Sequence, residues 1–331
     1  MKFILKKIIK GRPYYYFKLS YPLLNERYNF SKYIGPILPR DMRFLIVQLF
    51  TEVAKFIDEK VKVEKFPYFH PQSVKSIEHT KLKYILQSHE LFQPDLQLFK
   101  TLFYILFVLN SNRAEGSKVT RSNIEEVMQK KVKPQTIIEK EVINSIRGIN
   151  FAFSRNMVWN EKNIRDVHKH LFWNIHPEIA GKYKRVNNIV GNEETTEWQE
   201  VHKEMKNLLI WFQKEKGKMY GPQLALEFYW RFEAIHPFED GNGRVGRILL
   251  NRILLEQGYA PVVFFSENHQ AHCNAISKAK VGKTLNLAKH FIDAVNKTNN
   301  AIIKYKKEQR VTGGSSKVGQ WEISRGKIRI G

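Results

Sequence analysis

Hydrophobic periodicity changes character along this chain. Ile4 to Ile9 is β-prone, Gly11-Arg12-Pro13 carries turn chemistry, and Tyr14-Tyr15-Tyr16-Phe17 resumes as an aromatic strand, so residues 1–34 read as strands. After Pro39 the period becomes helical: Leu45, Leu49, Val53, Phe56 and Ile57 share one face of a helix over about 40–62. A loop with Pro67, His70 and Pro71 follows, then helices to about 111. From Thr120 onward nearly every segment reads as helix. A short one opens on a capping box at Ser122 and Glu125 and is stopped by Pro134. Further helices are predicted over about 135–155, 160–175, 195–216, 222–235, 243–257, 267–280 and 284–306. Between 176 and 192, Pro177, Gly181 and Gly191 mark a loop with a short extended piece. Gly313-Gly314-Ser315-Ser316 reads as a flexible linker. The pattern predicts a mainly α fold with a small N-terminal β-hairpin and a helical extension: an accessory region at 1–95, a helical domain at 96–306 and a basic tail at 307–331.

Composition narrows the class. Of 331 residues, 43% are apolar and 13% aromatic, enough for a large core, which excludes disorder as a description of the chain. Lys and Arg number 55 against 32 Asp and Glu, a net charge of +23 that speaks of solubility and polyanion partners rather than fold. The lone Cys273 cannot form an internal disulfide and implies a cytoplasmic setting. The apolar run near the start, Phe3–Leu5, is three residues long before Lys6-Lys7 break it, short of the ~7–15 residues of a secretory core. The run Leu102–Leu109 is far below the ~20 residues of a membrane span, so no membrane partner is expected.

The candidate chemistry is concentrated in His236-Pro237-Phe238-Glu239-Asp240-Gly241-Asn242-Gly243-Arg244-Val245-Gly246-Arg247. His236 stands at a helix end before a proline, and imidazole is the side chain poised to take a proton near neutral pH. Phe238 reads as an inward anchor of the loop. Asp240 is the hard oxygen ligand that Mg²⁺ prefers. Gly241-Asn242-Gly243 permits an anion-binding nest, and the helix it opens presents free N–H groups to an anion. Arg244 and Arg247, three apart, share a helical face and can grip phosphate oxygens. One segment thus offers a base, a metal ligand, a phosphate nest and two clamps, the parts of a phosphoryl- or nucleotidyl-transfer site.

This segment resembles the Fic family signature, H-x-F-x-[DE]-G-N-G-R-x-x-R, at every fixed position, and the likeness extends over about 100–295, including the Gly181-Lys182-Tyr183 loop and the Gly258-Tyr259-Ala260-Pro261 turn. The resemblance implies a mainly helical Fic-type domain that transfers AMP from ATP to a Ser, Thr or Tyr hydroxyl of a protein, itself included, releasing pyrophosphate. It implies His236 as general base, Asp240 as the ligand of Mg²⁺ or Mn²⁺, Asn242, Arg244 and the loop amides on the α- and β-phosphates, and Arg247 on the γ-phosphate. Gly241 and Gly243 favour AMP transfer over phosphorylation, since phosphorylating relatives carry a bulkier loop. Ser111-Asn112-Arg113-Ala114-Glu115-Gly116 fits the family's inhibitory pattern [ST]-x-x-x-E-[GN] on a helix near 100–116. Glu115 would pair with Arg247 and occupy the γ-phosphate space. The loop Gly181–Gly191 resembles the target-binding flap, with Asn188, Ile189, Val190 and Gly191 at the nucleotide. Three residues depart from common family choices: Lys184 for Arg, His272 for Tyr and Lys280 for Asn, which leaves base selectivity open. Removal of AMP at the same site is the alternative activity, and a homodimer is left open.

Other patterns carry less. Val281-Gly282-Lys283-Thr284 lacks the upstream glycine of a phosphate-binding loop, with Ser277 in its place. His168 and His170 point to different faces of a helix, and adjacent His272 and Cys273 diverge. Residues 1–70 hold ten Lys and four Arg against two Asp and four Glu. Interleaved with Tyr14, Tyr15 and Tyr16, that charge suits nucleic acid, so a nucleic-acid-binding regulator that senses nucleotide through the Fic domain is the competing reading.

Overall fold

The computed structural model describes residues 4–23, 26–63, 66–87, 93–129, 134–190, 193–311, 323–324 and 327–328. Three antiparallel strands open the chain, β1 (Ile4–Ile9), β2 (Arg12–Leu23) and β3 (Glu26–Gly35), in the order β1-β2-β3. The expected hairpin is therefore a three-stranded meander. One face of β2, Phe17, Leu19, Tyr21 and Leu23, is buried at two-residue period. Tyr28 and Phe30 of β3 pack on Phe56 of helix α1 (Arg43–Val63). On the other face Tyr14 and Tyr16 meet Tyr33, and the Lys7 ammonium lies over Tyr16.

Eleven α-helices build the rest of the described chain. α2 (Pro71–Gln87) packs on α1, and α3 (Gln93–Arg113) runs through the centre. In α3 the stretch Leu102–Ile105, with Phe107 and Val108, is buried without a polar face, as a helix wrapped by neighbours requires. The apolar run that is too short for a membrane span is thus the spine of the core. No helix among the described residues is long and apolar enough to cross a membrane.

α4 (Arg121–Gln129), α5 (Ile137–Ala152) and α6 (Glu161–Phe172) follow. The cap of α4 differs from expectation. Thr120 Oγ1 accepts from the Asn123 amide at 3.2 Å and Asn123 Oδ1 from the Thr120 amide at 2.9 Å, whereas Ser122 donates to Glu126 and Glu125 accepts from Arg121. Asn123 has the shorter reach back to the amide of Thr120, so the box forms one residue before the helix, not inside it. Thr136 and Glu139 form a full capping box on α5.

The two-residue strands β4 (Ile189–Val190) and β5 (Glu193–Glu194) make the flap, and α7 (Val201–Glu215) leads into α8 (Gly221–Ile235). α8 and α9 (Asn242–Glu256) pack side by side with the His236–Gly241 loop between them, and α10 (His269–Lys280) and α11 (Leu285–Val311) complete the bundle. One continuous core joins Phe17 of β2 to Ile302 of α11. Its polar clasp is Glu78 of α2, which is fully buried and accepts from the hydroxyls of Tyr21 at 2.7 Å, Tyr220 at 2.8 Å and Tyr259 at 2.6 Å. Lys81, 2% exposed, completes the cluster at 3.4 Å.

Candidate active site

Helix α8 ends where the chemistry begins. His236 is its C-cap, in the left-handed region with φ 50°, a conformation that among the described non-glycine residues only Lys10 shares. Such backbone strain is held by its surroundings. Phe238 is fully buried and stacks at 4.0 Å on His168 of α6. Asn242 closes the loop: its Oδ1 accepts from the Phe238 amide at 2.9 Å and its Nδ2 donates to the Phe238 carbonyl at 2.8 Å. The Asn242 side chain is therefore spent on loop shape, and what it can offer an anion is its backbone amide at the tip of α9.

Gly241 caps α9 at φ 78°, and a Cβ there would lie 2.4 Å from Phe172. Asp240 stands at the rim, its side chain 53% exposed, with Oδ2 accepting from Arg244 at 3.1 Å. The Arg244 guanidinium lies over the Phe172 ring at 4.6 Å, and its buried Nε has no hydrogen-bond partner. No group of three or more His, Cys, Asp or Glu among the described residues forms a metal cage. A single exposed carboxylate at the tip of α9 fits the way Mg²⁺ binds, through one or two carboxylates plus phosphate and water oxygens.

Arg247 is buried and held by α3 and the turn after it. Its Nε donates to Ser111 Oγ at 3.1 Å, and Nη2 donates to the Ser111 carbonyl at 3.1 Å and to Glu115 Oε1 at 2.6 Å. Burial pushes the Glu115 carboxyl up, but the Arg247 charge and hydrogen bond outweigh it and hold the group below the usual range. Gly116, at φ 83°, ends this segment with a left-handed turn. The Glu115 carboxylate lies on the tip of α9: a Cβ on Gly243 would meet Glu115 Oε1 at 2.5 Å and Arg247 Nη1 at 2.9 Å. Ser111, Glu115, Gly243 and Arg247, 136 residues apart at their extremes, thus share one spot.

Residues 158–254 match the Fic/DOC family model. The chain carries a Fic domain. It is 25% identical over 187 residues, 54% of the chain and 44% of the relative, to a protein adenylyltransferase Fic of Nematostella vectensis. A protein adenylyltransferase Fic of Aedes aegypti is 22% identical over 206 residues, 59% of the chain and 41% of the relative. The chain spans less than half the length of these curated relatives. A Fic-domain signalling protein of Bacteroides thetaiotaomicron shares the fold, with a TM-score of 0.60 at 22% identity over 72% of this chain and 98% of that one.

Around the Fic motif the structure adds residues that spacing alone does not mark. His168 bonds two loops at once: Nδ1 accepts from the Gly181 amide at 2.9 Å, so Nε2 carries the proton to the Asp240 carbonyl at 3.0 Å. Burial lowers this imidazole to about 4, which keeps it in that neutral form. Its partners are backbone groups, which no sequence spacing reports. Lys184 is a flap pin. Its amide donates to the Pro237 carbonyl at 2.9 Å, and its ammonium donates to Asn188 Oδ1 at 2.7 Å and Thr195 Oγ1 at 2.6 Å. Asn188 in turn donates to the Phe238 carbonyl at 3.2 Å. Ile189 is 68% and Val190 37% exposed beside this pin, while Gly191 lies outside the described residues. Lys280 reaches Glu193 of the flap at 3.1 Å. His272 is buried between Phe264 and Tyr229, 3.0 Å from the Tyr229 hydroxyl. Cys273 is half-buried near His269.

Proposed function

We propose that this Fic domain is a protein adenylyltransferase that moves AMP from ATP to a Ser, Thr or Tyr hydroxyl of a protein, its own chain included, and that Glu115 restrains it in cis. The observation that carries the reading is the seat of the Glu115 carboxylate, an anion held by Arg247 over the tip of α9. A carboxylate stands there for the oxygens of a phosphate, which the same helix tip and guanidinium would bind. With Glu115 turned away, Arg247 is left to hold the γ-phosphate, Arg244 and the loop amides the α- and β-phosphates. Asp240 would hold Mg²⁺ or Mn²⁺, which would supply charge to the same phosphates.

His236 acts as general base. Burial, then the neighbouring Lys184 and Lys280 charges, lower its imidazole to about 4, so it is neutral and able to accept a proton at pH 7. The target hydroxyl gives its proton to Nε2, the oxygen bonds the α-phosphorus, and pyrophosphate leaves with the electron pair of the broken P–O bond. Exposed Ile189 and Val190 on β4 offer an edge on which an extended target segment can pair. The cytoplasmic setting expected from the lone cysteine belongs to the same proposal.

The test is incubation with α-labelled ATP and Mg²⁺. Label is expected on protein, increased by Glu115→Gly and abolished by His236→Ala. A silent Glu115→Gly chain, with no response to His236→Ala, would overturn the reading. Label from γ-labelled ATP would make the enzyme a kinase, and loss of label from a pre-modified target would favour AMP removal. Salt-dependent retention on single-stranded nucleic acid, lost on deleting residues 1–34, would favour the regulator.

A further inference from the structure

A buried carboxylate lies behind the base. Glu233, one turn before His236 on α8, is 8% exposed, and its Oε2 stands 3.7 Å from His236 Nδ1. Neither His236 Nδ1 nor Glu233 Oε1 has a hydrogen-bond partner, although both atoms are buried. A buried unpaired polar atom costs roughly 1–3 kcal/mol, so two of them side by side call for a reason. The helix opposite makes room for this carboxylate. A Cβ on Gly246 of α9 would lie 2.5 Å from Glu233 Oε1 and 2.8 Å from the Tyr229 ring. The absent side chain at 246 lets an acid sit against the helix that carries Arg247.

We propose that Glu233 is a positioning residue for His236: its carboxylate receives Nδ1–H, fixes the imidazole as the Nδ1–H tautomer, and so leaves the Nε2 lone pair for the target hydroxyl. The inference rests on the adenylyl-transfer reading, in which His236 is the base. The proton from the hydroxyl goes to Nε2 and the new imidazolium keeps its Nδ1–H. Glu233 stays ionised and takes no proton, and the Nε2 proton passes to solvent after pyrophosphate has left. A closure of less than 1 Å turns the 3.7 Å approach into a hydrogen bond, a tightening normal on passing from a free to a substrate-bound site.

The groups that face Glu233 set when it is charged. Burial pushes its carboxyl up to about 7; Arg247 of α9 and Lys280 of α10 pull it down, and Glu115 in the turn after α3 pushes it further up. Tyr229 on its own helix and Cys273 of α10 lie within its field. Lys184 of the flap acts on His236 itself. Departure of Glu115 favours the ionised form, so release of the inhibitory segment and completion of the base are coupled through Arg247.

Two measurements test this. In the Glu115→Gly chain, Glu233→Ala is expected to lower kcat for labelling roughly 10- to 100-fold with the KM for ATP unchanged. Glu233→Gln, which keeps an acceptor but not the charge, is expected to restore part of kcat and to abolish the rise of rate with pH between about 6 and 8. Nitrogen-15 NMR of the His236 ring is expected to show the Nδ1–H tautomer in the parent and a mixture of tautomers in Glu233→Ala. The backbone carbonyl of Glu233 also faces the ring. If both variants keep the parent rate, pH profile and tautomer, that carbonyl suffices and the proposal is wrong. If the parent chain never labels while its ring still loses the Nδ1–H tautomer on Glu233→Ala, the transfer reading fails and the positioning role stands.

Discussion

Two buried glutamates, Glu78 and Glu233, show how the same side chain serves opposite ends. Glu78 receives three tyrosine hydroxyls and a lysine, and both of its oxygens are used. Glu233 has one oxygen without a partner and the other 3.7 Å from an unpartnered imidazole nitrogen. The first cluster joins β2, α2, the start of α8 and the turn after α9, and its completeness makes it a fixed joint. The second lies where the Fic motif, Glu115 and the flap meet; Arg244 Nε of the same motif is also buried without a partner, as are His272 Nδ1 and, elsewhere, Arg165 Nε, the Tyr183 hydroxyl and Trp230 Nε1. Folding satisfies polar groups where shape is the purpose; a site keeps some of them in reserve for a ligand.

The largest way to break this contrast is Glu78→Ala. It takes the charged acceptor from three buried hydroxyls and the counter-charge from the buried Lys81 ammonium, leaving Tyr21 only the backbone carbonyl of residue 78 and Lys81 only that of Pro22, and the expected loss is about 3–5 kcal/mol of unfolding free energy, read by urea denaturation. Glu233→Ala, at comparable burial, is expected to cost less than about 1 kcal/mol, because it also removes an unsatisfied carboxylate. Equal losses at the two positions would erase the distinction.

The pH dependence of stability sharpens it next. Glu233 is raised in the folded chain to about 7, against about 4.3 for an unfolded glutamate. The folded state therefore binds the extra proton between those values, and this group's contribution is full below about pH 4 and is lost as pH rises to about 7. His236 and His168, each lowered to about 4, run the other way: their contributions are full above about 6.5 and are lost as pH falls towards 4. Glu233→Gln removes the first trend and leaves the second. Its stability relative to the parent is expected to rise from pH 5 to pH 7, with a slope of at most about 1.4 kcal/mol per pH unit. A flat difference would place the Glu233 carboxyl at its ordinary value.

Much of this was legible in the sequence, unevenly. The helices of the Fic region stand close to their periodic segments, because an apolar stripe on a 3.6 period has one way to be buried. Asp240, Arg244 and Arg247 cluster as the motif spacing suggests, and the Ser111–Glu115 pattern finds Arg247 across 136 residues. The third strand lies almost wholly in the 1–34 stretch that reads as strands, but its pairing with β2 is not announced by a distinctive turn before it. His168 could not be read as a site residue, because its partners are backbone atoms of distant loops, and Glu233, though only one turn from His236, stands outside the motif's fixed positions. Gly246 was the one local clue to Glu233. A glycine inside a helix costs about 1 kcal/mol against alanine and implies that something approaches closely.

A smaller effect is expected at His168. His168→Phe keeps the stack on Phe238 and Phe172 and loses the bonds to the Gly181 amide and the Asp240 carbonyl. Both backbone groups stay in a confined space, so a loss of roughly 1–3 kcal/mol is expected, with faster amide hydrogen exchange at Gly181. Unchanged exchange there would show that Lys184 alone holds the flap to the motif.

The smallest expected effect is at Gly116. Nothing lies within 4 Å of a Cβ built there, so Gly116→Ala meets no clash and bears only the left-handed backbone at φ 83°. That strain is worth about 1 kcal/mol. It falls on the turn that ends the inhibitory segment, one residue after the carboxylate that Arg247 holds. Relaxing the turn shifts Glu115 from its seat on α9, so the variant is expected to lose about 1 kcal/mol of stability and to gain ATP affinity, read as a larger ATP-induced rise in Tm than the parent shows. An equal loss of stability with no gain in ATP response would mean that the seat of Glu115 is set by Arg247 and Ser111 alone, and that the glycine serves only to end the helix.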